Sequence, residues 1–90
     1  GTQVIENHFL NVFPNPAKNS LYSQLFCPSS SVYNVKLFDL SGRIVYLNEK
    51  QFLNGLNNEL IDISNVESGI YLLVFERENY VLRQKVVITK

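Results

Sequence analysis

The sequence predicts an all-β domain, an immunoglobulin-like β-sandwich of about seven antiparallel strands in two sheets. Three observations carry that reading. Runs rich in Val, Ile, Leu, Tyr and Phe recur at roughly ten-residue spacing, the length of a short strand and its turn. Clusters of Pro, Asn, Ser and Gly separate them, and each type bends or ends extended chain by its own chemistry. No window keeps a helical apolar period for three turns. Ninety residues with 46% hydrophobic content suffice for one small core. Residues 9–90 are therefore expected to form a single domain, preceded by residues 1–8 as a linker or an expression-derived stretch.

The first strand is expected over Phe9–Phe13. It is closed by Pro14-Asn15-Pro16, where missing donors and fixed φ angles stop a ladder. Residues 21–26 follow, with Leu21, Ser23 and Leu25 on one face and Tyr22, Gln24 and Phe26 on the other. Cys27-Pro28-Ser29-Ser30-Ser31 makes a loop. Residues 32–39 set Val35 and Leu37 on a shared face, and Asp39-Leu40-Ser41-Gly42 turns the chain into residues 43–47. That tetrad suits a type I turn, with an Asp carboxylate accepting turn N–H groups and a Gly free to take positive φ. Asn-rich residues 51–58 read as a loop or irregular edge strand whose pairing is open.

Residues 60–63 form a short strand, and residues 65–69 turn the chain, with room for one 3₁₀ turn. Residues 70–77 are apolar at nearly every early position, as in a central strand covered on both faces. Glu78-Asn79 forms a hairpin tip without the glycine that a type I′ turn prefers, and residues 80–89 close the domain. Tyr71, just past the turn at Gly69, is placed for a tyrosine corner, its hydroxyl returning to backbone a few residues upstream.

Eight Lys and Arg balance eight Asp and Glu at a pI near 6.8, so no nucleic-acid partner and no polybasic membrane surface is expected. The longest fully apolar stretch, residues 70–75, is far shorter than the roughly 20 residues that cross a bilayer. No signal peptide opens the chain, which fits either a soluble cytosolic protein or a piece of a longer exported one. A single Cys27 excludes an internal disulfide, and one Cys with one His makes no Cys/His metal site. Cys27 reads as a small, partly buried strand-end residue and His8 as a solvated tail residue.

Glu49, Glu59, Glu67, Glu76 and Glu78 fall in or beside turns and edges, where charge protects sheet edges. Asp39 and Asp62 are better placed as turn and strand-end acceptors. The glycines are isolated and no nucleophile elbow is present. The sequence therefore assigns no catalytic residue, cofactor or metal, and an enzyme is the weakest reading. Residues 69–90 hold four Lys and Arg against two Glu, so the last strand is locally basic. Solvated, edge-blunting charge explains this as well as binding does. Tyr22, Tyr33, Tyr46, Phe52 and Tyr80 could form an aromatic platform for a sugar, against the simpler alternative of ordinary sheet packing.

Three patches then occur in order: Asn15-Pro16 with Leu21 five positions after the proline, Asp39-x-x-Gly42-x-x-Val45, and Gly69-x-Tyr71 followed by a Lys-bearing strand from Lys85 to Lys90. Together they resemble the type A C-terminal sorting domain of type IX (Por) secretion system cargo, from Phe9 onward. The joint order and spacing, ending in Val86-Val87-Ile88-Thr89-Lys90, carry the resemblance.

The resemblance implies a secretion address on a larger exported protein of a Gram-negative bacterium, with N-terminal cargo domains in the same chain. Such cargo enters the periplasm and crosses the outer membrane when a translocon recognises the folded domain. It is then released, or attached to the cell surface as a sortase-like peptidase removes the domain, here near or before residues 1–8. By the same resemblance Pro14-Asn15-Pro16 fix the first loop, Leu21 anchors the next strand, Asp39, Gly42 and Val45 form the hairpin, and Gly69 and Tyr71 start the central strand. Lys85 and Lys90 are expected to touch the machinery, since an exposed terminal edge offers backbone pairing and charge together. Cys27 is unusual in an exported domain and offers a route to a homodimer by oxidation. The rival readings are a carbohydrate-binding or adhesive sandwich module and a structural spacer within a surface protein.

Overall fold

The computed structural model describes residues 9–90. The predicted linker 1–8, with His8, lies outside them. Seven strands follow in order: β1 (Phe9–Phe13), β2 (Ser20–Cys27), β3 (Ser31–Phe38), β4 (Ile44–Phe52), β5 (Gly55–Asp62), β6 (Gly69–Arg77) and β7 (Tyr80–Ile88). Every ladder is antiparallel, and the described residues contain no helix. One sheet has the order β1-β2-β5 and the other β4-β3-β6-β7. This is the expected immunoglobulin-like sandwich. The fourth strand joins the third, in contrast to the constant-type order in which it lies beside the fifth.

The core follows the two-residue period of the strands. Leu21, Ser23, Leu25 and Cys27 of β2 face Tyr33, Val35 and Leu37 of β3 and Tyr71, Leu73 and Phe75 of β6, all buried. Phe52 joins Tyr33 and Phe75 at ring-centroid distances of 5.2 and 6.0 Å. Each fully buried aliphatic or aromatic side chain contributes about 2 kcal/mol by leaving water.

The β3–β4 hairpin forms as the tetrad predicts. The Gly42 N–H donates to Asp39 O at 3.0 Å, the Asp39 N–H donates to Arg43 O at 2.9 Å, and Gly42 takes φ +90°. Leu37 pairs with Tyr46 but Phe38 pairs with Ile44, so Val45 is the extra residue of a bulge. The bulge lets the consecutive residues Val45 and Tyr46 both pack against the core. At the β6–β7 tip Asn79 takes φ +66° and does the work of the missing glycine. The β5–β6 connection turns the chain as expected, closed by Val66 N–H to Ile63 O (3.0 Å) with Ser64 N–H on Asp62 Oδ1 (2.9 Å), and without a 3₁₀ turn.

Two expectations are corrected. Of the two readings open for residues 51–58, the edge strand holds and the loop does not: they are the end of β4, a two-residue crossing at Leu53-Asn54, and the start of β5, both at sheet edges, with β5 running the length of β2. Asn57 organises that crossing. Its Oδ1 accepts the Leu53 N–H at 2.9 Å, and its Nδ2 donates to Leu53 O at 2.8 Å and Gly55 O at 3.1 Å. Leu56 and Leu60 face solvent there, so the hydrophobic pattern points the wrong way. The second correction concerns β6, an inner strand as expected but not covered along both faces: on its outer face Ile70 and Leu72 are 44% and 37% exposed, while Val74 is buried.

Candidate functional site

The three sequence patches fold to one end of the sandwich. There the loop after β1, the β3–β4 hairpin, the β5–β6 turn and the end of β7 meet. The chain enters at the opposite end, where Phe9 pairs with Phe26.

Asn15 acts as a substitute peptide group. Its Oδ1 accepts the Val87 N–H at 2.9 Å, and its Nδ2 donates to Lys85 O at 3.3 Å. Two residues on, the Ala17 N–H donates to Val87 O and the Thr89 N–H donates to Ala17 O, both at 2.8 Å, making a parallel bridge with Ile88. Pro16 sits between them, following a cis peptide bond, and supplies no competing N–H. The backbone edge at residues 85–89, expected to lie open for pairing with the machinery, is therefore already covered by residues 15–17. Sequence alone gave Ala17 no signal; its 1% exposure reflects a contact made across the whole length of the chain. Leu21 is fully buried, as its role as a strand anchor requires.

Asp39 is saturated by its own turn. Oδ1 accepts the Ser41 hydroxyl at 2.7 Å and the N–H groups of Ser41 and Arg43 at 2.9 Å, while Arg43 Nε donates to Oδ2 at 3.1 Å. The Ser41 hydroxyl, then the Arg43 N–H, hold its carboxyl down to about 2. Gly69 and Tyr71 are one unit. A Cβ at Gly69 would meet Tyr71 Cε1 at 3.3 Å, so the missing side chain lets the ring lie back over the turn. The ring's hydroxyl donates to Glu67 O at 2.7 Å, which is the expected tyrosine corner.

The two lysines differ. Lys90 is a latch: its N–H donates to Ser68 Oγ at 2.9 Å, and its ammonium donates to Ile63 O at 2.9 Å and Ser64 O at 3.4 Å. It adds to the lowering of the Asp62 carboxyl, which is caused chiefly by the Ser64 N–H. Lys85 is exposed on the outer sheet face, opposite Leu72 in register, and its side chain has no hydrogen-bond or ion-pair partner among the described residues.

Geometry also decides the readings of Cys27 and of the aromatic rings. Cys27 is fully buried, more so than predicted, and its thiol points at the Tyr33 hydroxyl at 3.8 Å. Burial pushes both groups above their usual pKa range, and the Cys27 sulfur has no surface through which to form a disulfide-linked homodimer. Nor do the five rings make a platform. Tyr33 and Phe52 lie in the core and Tyr46 packs against it. Tyr22 stacks on Phe13 outside the other sheet, and Tyr80 lies under Arg77.

The family model described as secretion system C-terminal sorting domain matches the chain over residues 11–89. No curated protein matches it.

Proposed function

The chain belongs to the secretion system C-terminal sorting domain family, the sorting signal of type IX secretion cargo, and on that premise we propose that its folded motif-bearing end is what the translocon reads. Residues 9–90 are the sorting domain and residues 1–8 the linker from the cargo. The cargo passes through the periplasm and reaches the cell surface or the medium. There a sortase-like peptidase cuts ahead of β1. No side chain of the domain performs a reaction. Asn15, Pro16, Leu21, Asp39, Gly42, Val45, Gly69, Tyr71 and Lys90 act by building that end; Lys85 is the one that meets the apparatus.

The observation that carries this reading is the convergence of all three patches at the end of the sandwich farthest from where the preceding chain joins. Cargo attached ahead of Phe9 leaves that end unobstructed. A periplasm-targeted reporter with residues 1–90 fused behind it tests the reading in a bacterium with a type IX system. The reporter is expected at the surface or in the medium, whereas the same reporter carrying only residues 1–8 stays inside. Equal retention of both would refute the reading. Deleting residues 85–90 is a poorer test, because it removes Val86 and Ile88 from the core and unfolds the domain.

A further inference from the structure

The outer face of the four-stranded sheet carries an apolar floor with a cationic bank. In register across β4, β3, β6 and β7, one row reads Ile44, Phe38, Leu72, Lys85 and the next reads Leu47, Lys36, Val74, Arg83. Beside the first row, Phe38, Leu40, Ile70 and Leu72 line an open groove of about 380 Å³ with Lys85 on its rim. Leu40 and Leu47 are 80% and 60% exposed.

The charges on this face are unevenly committed. Lys36 is paired with Glu76, and Asp39 at the groove's end is consumed by its own turn and Arg43. Arg83 and Lys85 stand two residues apart on the same face of β7, and neither side chain has a hydrogen-bond or ion-pair partner among the described residues. The complement of such a surface is apolar and carries carboxylates.

We propose that this groove docks an acidic, apolar peptide segment of the secretion apparatus. Apolar side chains of that segment fill the space between Phe38, Leu40, Ile70 and Leu72, and its carboxylates pair with Lys85 and Arg83. A protein segment fits better than an anionic membrane, because the groove is concave and Glu49 and Glu76 share the face with the cations. An apolar floor likewise does not suit a polyanion. The inference rests on the sorting reading, since it names the surface through which sorting occurs.

The test is reporter export by a graded series at Lys85, with Leu72→Ser as a second probe of the floor. Both positions are exposed, so thermal melting and protection of the Cys27 thiol should match the unaltered domain and certify folding. Export is expected to be kept by Lys85→Arg, reduced by Lys85→Gln, and lowered about tenfold or more by Lys85→Glu, the scale of one lost charge-assisted bond. Leu72→Ser is expected to lower it as well. If Leu72→Ser melts early, Ile70→Thr replaces it. Normal export by folded Lys85→Glu and Leu72→Ser, with the unaltered reporter exported, overturns the docking site and leaves the sorting reading standing. Retention of the unaltered reporter overturns both. Flotation of the purified domain with phosphatidylglycerol vesicles, or self-association in sedimentation, either one abolished by Lys85→Glu, would overturn the peptide partner in favour of a membrane or a second copy.

Discussion

Ser23 is 1% exposed in the middle of the core, and its hydroxyl has no hydrogen-bond partner among the described residues. A buried hydroxyl left unpaired costs roughly 1–3 kcal/mol, so Ser23→Ala is expected to stabilise the domain by about 1 kcal/mol. That is a rise of about 5 °C in Tm for a chain of this size, readable by thermal unfolding. Asp39 behaves oppositely. Its folded carboxyl sits near 2 against an ordinary value of 3.8, so the folded state binds fewer protons in that interval. The turn's contribution is complete above about pH 4 and is lost as pH falls toward 2. Asp39→Asn should flatten that part of the stability profile, and an unchanged acid slope would show that the turn bonds do not hold in solution. Cys27, buried and raised in pKa, should resist alkylation at pH 8 until the domain is denatured.

At the scale of elements, local chemistry decided how much was legible. The Asp39–Gly42 turn and the Gly69–Tyr71 corner were readable because their bonds close within four residues. β5 was not: Glu59 and Asn57 occupy inward positions because one pairs with Lys50 across the open side (3.5 Å) and the other caps the crossing. Each is a polar residue at a position where a strand pattern calls for an apolar one; the Glu59 partner lies on the other sheet, and Asn57 adds to its local bonds one to Leu25 O of β2 at 3.4 Å. The Asn15 clamp was equally hidden, spanning 72 residues between a loop and the last strand. It has a physical purpose, since an uncovered terminal strand is a template for pairing with other chains. Asn15→Ala removes two hydrogen bonds, and the Val87 amide should then exchange about tenfold faster, about 1.4 kcal/mol of lost protection. An unchanged exchange rate would mean that Ala17 alone holds the edge.

For the molecule as a whole, strand spacing and turn residues sufficed to place two sheets, because a ninety-residue chain of this pattern has few other ways to bury its apolar faces. Which outer face stays open was not legible: the apolar run in β6 fits a doubly covered strand, yet among the described residues nothing covers Ile70 and Leu72, and Val74 alone on that face is buried. That open face and the latched motif end together describe a domain whose function is to be recognised. The most direct measurement is cell fractionation of a reporter joined ahead of residues 1–90, in matched strains with and without a working type IX translocon. The account requires the reporter outside the cell in the first strain and in the periplasm of the second; the same distribution in both strains would contradict it.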